Sequence, residues 1–517
     1  EMAAGRGQPG VAAQAFVAAL ELQPDPALAS RATQLALVAG DAQTAEQAAN
    51  KWLELEPNSM DAREVLARLA LRKGELDEVY AQSLEMINGH AGGTAEGFRH
   101  VALLLSSDPA QGPAVLTVLD RLVSVYPDLA GARYARALVA LRYDELDKAE
   151  RSARDALRLE PNSNDYILLL IGVLVRKDTL PEADELAAKL VSKAKGQTRG
   201  EVRLTYARLL LDAGHREHAR TQMRAALKDD SKNQDASYAL GVMAITDNDL
   251  DQAEALFTPL TTDTDRGGDA SYQLGRIAEL RKDYPKALEY YRKVNTGGQA
   301  IEAAVRQASV MARLGDVTGA RGSLEQLRRQ FPPLGPRLIL AEAEMLLDLG
   351  LDEDALTVYN RALEGNADDS GLLYGRSLVF ERMARFPEAE ADLRRILAQN
   401  PEDARAMNAL GYMLTVNTDR FEEAHKLIEA ALKQAPDDAA VIDSMGWVLF
   451  KLGRKEQARD FLEKAFDKAK DPEISAHLGE VLWALGDRER ARAVWDEALA
   501  REPEHRGLRD TVKRLTE

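Results

Sequence analysis

Apolar residues along this chain recur at i, i+3, i+4 and i+7, in runs broken by short polar turns, which predicts amphipathic helices rather than strands. The stretch "NALGYMLTVNTDRFEEAHKLIEAALKQAP", Asn408 to Pro436, holds two such helices joined by a polar turn, and near copies lie before and after it. A repeated unit makes the internal period the first thing to measure. One small residue serves as the ruler: Ala149, Ala183, Ala219, Ala253, Ala287, Ala320, Ala355, Ala389, Ala424, Ala458 and Ala491 follow one another at intervals of 33 to 36 residues. Eleven repeats of a two-helix unit are expected.

The residues around the ruler agree with such a unit. In "DSMGWVLFKLGRKEQARDFLEKAF", Gly446, Ala458 and Ala465 are small where two helices would cross, allowing axes to approach to roughly 8–10 Å. Gly453 closes the first helix, because glycine adopts the left-handed conformation at no steric cost, and Gly214, Gly315, Gly350 and Gly486 occupy the same point. Pro161, Pro332, Pro401, Pro436 and Pro503 close second helices, since proline has no N–H and restricts the residue before it. Period and pattern together resemble the tetratricopeptide repeat, a helix-turn-helix unit of about 34 residues. That resemblance implies an all-α solenoid: hairpins too small to bury their own apolar faces stack into a right-handed superhelix with a continuous core, and first helices build the inner, concave wall.

Upstream the ruler continues with Ala12, Ala45, Val79 and Val115, so residues 1–127 read as degenerate helical hairpins, 128–503 as the eleven-repeat array, and 504–517 as a capping helix. The loop-like stretches "INGHAGGTAEG" and "SSDPAQGP" suggest a flexible or bent joint. Gln8 to Pro24 reads as the second helix of a hairpin of whose first only "EMAAGRG" remains. The chain is therefore expected to start inside a repeat, with any signal peptide or lipid attachment site upstream.

Helical spacing then picks out side chains for the inner wall. The fifth position of four repeats holds Tyr134, Tyr238, Tyr272 and Tyr374, and in the last repeats the same face carries Asn408, Tyr412, Asp443, Trp447, Phe450, Glu480 and Trp483. Tyr and Trp join apolar area to a hydrogen-bonding tip, as binding hot spots do. Aromatic residues on repeat helices also wedge against the adjacent hairpin, so each of these side chains has two readings, contact and packing.

Composition narrows the function classes. With 67 basic and 84 acidic residues the formal charge is −17, which repels phosphate backbones, and no basic run offsets it. Nucleic acid is not an expected partner. There is no cysteine, which removes disulfides, thiolate metal sites and a cysteine nucleophile. No apolar run is long enough to cross a bilayer. His215 and His218 share a helical face at ligand spacing but lack a third ligand, and Ser192 with Lys195 forms an S-x-x-K on a helix end that reads as exposed; both read as helix surface. Carboxylate clusters such as Asp352, Glu353 and Asp354 read as a solvated face. No span is left over for a catalytic domain, so a non-enzyme with no cofactor and no metal is expected.

A narrower resemblance rests on three stretches: "RATQLAL" with "WLELEPNSMDAREVLARLALRKG", then "NALGYMLTVNTDRFEEAHKLIEAAL", then "DSMGWVLFKLG" with "AHLGEVLWALGDRERARAVW". Together they resemble the large tetratricopeptide-repeat lipoproteins of the Gram-negative outer membrane, and among them the kind that serves as adaptor to a carboxyl-terminal processing protease. The resemblance implies a scaffold at the periplasmic face of the outer membrane, held by a lipid on an upstream cysteine. Its partners would be the processing protease and that protease's substrates, peptidoglycan cross-link hydrolases. A scaffold for envelope, exopolysaccharide or cell-wall assembly that touches no protease is the competing reading. A co-chaperone gripping C-terminal carboxylates needs basic residues and asparagines converging on consecutive first helices, and only Asn408 with isolated Arg405 and Arg276 approach that.

Overall fold

The computed structural model describes residues 8–517, which form two units, 8–260 and 261–517. The chain is 80% helical with no strand among the described residues, which places it in the all-α class as an array of helical hairpins. The stub "EMAAGRG" lies outside the described residues.

In the first unit a single helix, α1 (Pro9–Leu22), is followed by seven hairpins. These are α2 (Pro26–Val38) with α3 (Ala42–Leu55), α4 (Met60–Lys73) with α5 (Leu76–Gly89), α6 (Thr94–Leu105) with α7 (Gly112–Val125), and α8 (Ala130–Arg142) with α9 (Leu146–Leu159). Then come α10 (Asn164–Arg176) with α11 (Leu180–Lys193), α12 (Gln197–Asp212) with α13 (Arg216–Asp229), and α14 (Gln234–Thr246) with α15 (Leu250–Phe257). The second unit also holds seven. It runs α16 (Gly267–Leu280) with α17 (Tyr284–Tyr291), α18 (Ala300–Arg313) with α19 (Val317–Gln330), α20 (Gly335–Asp348) with α21 (Asp352–Gly365), and α22 (Ser370–Arg382) with α23 (Phe386–Gln399). After these come α24 (Ala404–Asn417) with α25 (Phe421–Gln434), α26 (Ala439–Lys451) with α27 (Lys455–Lys468), α28 (Pro472–Ala484) with α29 (Arg488–Arg501), and a last helix, α30 (Arg506–Thr516).

Every alanine of the ruler is buried, and so are Ala12, Ala45, Val79 and Val115 upstream. The reason is steric. A side chain any larger would hold the two helices of a hairpin apart, and where glycine replaces it on the facing helix the approach is closer still. A Cβ built on Gly446 would sit 2.6 Å from Leu462 Cγ. The turn glycines sit where expected, each in the left-handed region, with φ +80° at Gly453. Asp144, Asp178, Asn248, Lys282 and Ala384 take the same conformation in other hairpins without being glycine.

The joint expected near "INGHAGGTAEG" and "SSDPAQGP" does not break the core. Met86 just before the first stretch and Ile87 at its start, Phe98 and Val101 between the two, and Val115 and Leu119 after the second belong to one buried cluster running from Ala67 to Met243. Gly97 lets the chain close up there, since a Cβ on it would meet the backbone of Ile87 at 2.8 Å. In the second unit a comparable cluster runs from Ala308 to Leu508, the last residue being supplied by α30.

Candidate functional site

The first helices α22, α24, α26 and α28 each begin at an aspartate whose side chain accepts a backbone N–H: Asp369 from Leu372, Asp403 from Ala406, Asp438 from Ala440 and Val441, and Asp471 from Glu473. Such a cap is worth about 1 kcal/mol and fixes where each helix starts, hence which residues turn inward together. Side by side, the four helices line a trough of about 440 Å³. Tyr374, Leu378 and Glu381 come from α22, Asn408 and Tyr412 from α24, and Asp443, Glu473 and Ile474 from the two that follow.

Tyr374, Asn408, Tyr412 and Asp443, picked from spacing, thus do converge. Tyr374 lies under the Arg405 guanidinium, 4.2 Å from its ring centroid. The Tyr412 hydroxyl donates to Glu473, and burial together with that carboxylate pushes the phenol well above its ordinary range. The Oδ1 of Asn408 is sealed from solvent and has no hydrogen-bond partner.

Beneath the trough lies a buried ion pair that the sequence reading half missed. Asp443 Oδ2 accepts from His477 Nδ1 at 2.9 Å, and the imidazole is stacked on Trp447 with centroids 4.1 Å apart and planes 17° from parallel. Burial works against a charged imidazole, but the charge and hydrogen bond of Asp443 outweigh it and hold the His477 pKa above the ordinary value. His477, Glu381 and Glu473 were absent from the sequence expectation. A signal existed, because His477 stands one repeat beyond Asp443 in register, Glu473 one helical turn before it, and Glu381 two turns after Tyr374.

The remaining expected residues are placed differently. Tyr272, Asp443 and Trp447 were expected on an open wall and are buried, 7%, 5% and 7% exposed, because the next hairpin covers them. Tyr272 packs on Tyr291 at 6.0 Å and its hydroxyl accepts from Arg306 Nε at 3.3 Å. Tyr134 is half-buried against Tyr166, centroids 4.9 Å apart, and Tyr238 meets Phe257 edge-on at 5.4 Å. Phe450 lies beside Trp447 at 5.4 Å. Glu480 accepts from Arg514 of α30 at 2.5 Å, and Trp483 sits under Arg488 and Arg492 with Trp495 behind it. Tyr134, Tyr238, Tyr272, Trp447, Phe450, Glu480 and Trp483 do not line the trough and are engaged within their own units by ring contacts, hydrogen bonds or ion pairs.

The residue pairs that mimic catalytic spacings are engaged otherwise. His218 Nε2 is 2.8 Å from Asp184 and His215 Nε2 is 3.6 Å from Asp178, so the two rings face different aspartates. The Ser192 hydroxyl donates to the Lys189 carbonyl at 2.8 Å. Asp352 and Asp354 pair with Arg382 and Arg321.

Comparison with known proteins adds the following. A family model described as tetratricopeptide repeat matches residues 204–261, 246–300, 305–370, 374–439 and 477–509, and a second model of the same description matches 418–476. A TPR repeat-containing protein of Pseudomonas aeruginosa is 31% identical over 100% of this chain and 87% of its own length. Cellulose synthase operon protein C of Pseudomonas fluorescens is 24% identical over 70% of this chain, which spans 30% of that protein. Among solved structures, yeast Tom70 aligns over 95% of this chain and 94% of its own at 14% identity and a TM-score of 0.39. A tetratricopeptide repeat protein from Parabacteroides merdae aligns over 48% of this chain and 99% of its own at 18% identity and a TM-score of 0.38.

Proposed function

The chain belongs to the tetratricopeptide repeat family, and from that premise we propose that it is a non-catalytic scaffold whose second unit holds an extended segment of a partner protein in the trough of α22, α24, α26 and α28. The observation that carries this reading is the trough itself, where Tyr374 and Tyr412 present rings and polar tips beside Leu378 and Ile474. Large rings on rigid helices supply contact area at small entropic cost, while scattered carboxylates and an amide set orientation.

Within that role the finer reading is an adaptor for a carboxyl-terminal processing protease, lipid-tethered at the periplasmic face of the outer membrane, that brings peptidoglycan cross-link hydrolases to the protease. Three family-like strings support it. Holding enzyme and substrate on one scaffold raises their mutual concentration to roughly the millimolar range without new chemistry. A scaffold for exopolysaccharide or cell-wall assembly is the second reading, favoured by the similarity to cellulose synthase operon protein C. Two assays separate them. With this chain as bait, envelope extract should yield a processing protease, and purified protease should degrade a cell-wall hydrolase faster when the chain is added. Repeated recovery of no protease, with equal degradation rates, would favour assembly scaffolding.

A further inference from the structure

The charges of the trough are arranged unlike those of the rest of the chain. Elsewhere a buried carboxylate is held by arginine: Glu342 by Arg321 and Arg328 at 2.8 and 2.7 Å, Asp392 by Arg376 through both oxygens. In the trough Asp443 has His477 and Asp471 caps its helix, but Glu473 accepts only the Tyr412 hydroxyl among its side-chain contacts. Glu381 is half-buried, and its carboxyl has no hydrogen bond or ion pair among the described residues. Its carboxyl is pushed up by burial and then by the nearby charge of Glu473. Arg405, at the rim, lies over the Tyr374 ring rather than against a carboxylate. The amide of Asn408 adds, independently, a sealed and unpartnered oxygen at the same wall.

We infer that the trough takes an arginine side chain from an extended segment of the partner, its guanidinium against Glu381 and Glu473 and its alkyl stem along Leu378 and Tyr412. The inference rests on the trough being the partner-binding surface and adds what that partner must carry. Charge complementarity selects a cation, because two neighbouring carboxylates, neither in an ion pair among the described residues, lose their mutual repulsion when one arrives. Burial selects arginine over lysine. A guanidinium is less strongly hydrated than an ammonium and presents a planar fork of donors that can serve two carboxylates at once, while an ammonium is a compact, tightly hydrated point charge.

The probe is an end-blocked, fluorescein-labelled nonapeptide of alternating serine and valine with one central arginine, titrated with the full chain and read by fluorescence anisotropy. Matched peptides carry lysine, citrulline or glutamate at the centre. The arginine peptide should bind about tenfold or more tighter than the citrulline peptide, with lysine between them and glutamate weakest. The Glu381→Gln, Glu473→Gln double variant should remove the preference. If that variant does not fold, Glu381→Gln alone serves, since Glu381 holds no partner within the chain. Equal affinity for arginine and citrulline, a preference that survives these substitutions, or no binding by any of the peptides would overturn the inference. Retention of a captured partner by the double variant at undiminished affinity would also overturn it, while leaving the scaffold reading in place.

Discussion

Asp443→Asn is the substitution whose consequences can be worked out furthest. Asp443 and His477 are 7% and 10% exposed at the side chain, so solvent screens their interaction little. Replacing the carboxylate by an amide leaves a protonated imidazole buried against Trp447 without its counter-charge. Breaking a buried pair from one side costs about 3–5 kcal/mol. At roughly 2–4 °C per kcal/mol for a body of this size, the melting midpoint of the second unit should fall by on the order of 10 °C. The loss must depend on pH, with a sign fixed by the raised histidine pKa. A group that holds its proton more tightly when folded stabilises fully below its unfolded value of about 6.5 and loses that contribution as pH rises through the folded value. The variant should therefore lose most near about pH 6, and the loss should shrink as pH rises through the folded value, above which the neutral imidazole can hydrogen-bond the amide. Intrinsic fluorescence suits the assay, because three of the four tryptophans, Trp447, Trp483 and Trp495, belong to the last hairpins. A loss that does not shrink as pH is raised across the alkaline range, or no loss at any pH, would refute the assignment of a charged, stabilising pair.

Gly446→Ala should destabilise by up to about 2 kcal/mol, the overpacking against Leu462 of ~1–3 kcal/mol being partly offset by ~1 kcal/mol of helix propensity, as read from urea unfolding. In the same assay Ala384→Gly should gain up to about 1 kcal/mol by relieving a left-handed alanine at φ +56°. Trp447→Ala should cost about 3–5 kcal/mol, because the ring is buried, whereas Trp483→Ala should cost less, its ring being only partly buried under two arginines. Glu381→Gln should raise the melting midpoint at neutral pH, because the folded chain disfavours the ionised carboxyl. The gain should vanish below about pH 4, where the native side chain is itself neutral.

The architecture was legible because it is written locally. Each ruler alanine answers to a contact inside its own hairpin, each turn glycine to its own φ, and each closing proline to a helix that ends two residues earlier. The turns at Asp144, Asp178, Asn248, Lys282 and Ala384 escaped because those residues pay the left-handed cost without announcing it in sequence. The trough was only partly legible for a related reason. Tyr374, Asn408 and Asp443 follow from counting along one register, but the hydrogen bond from Tyr412 to Glu473 joins residues 61 apart, and its existence depends on how each hairpin is rotated against the next. That same rotation decides exposure. It seals Trp447 and Tyr272 under a neighbouring hairpin and leaves Leu378, one turn before Glu381 on the same helix, 41% exposed. A single repeat read alone carries no information about it.

The central claim, that partner protein is held in the trough of the second unit, is tested most directly by photo-crosslinking from within it. A benzophenone amino acid replaces Leu378 in the trough, or exposed Lys426 on the second helix α25 as control, and each chain is irradiated in envelope extract. The account predicts a discrete protein adduct from position 378 that is weak or missing from position 426. Adducts from 426 with none from 378 would contradict it.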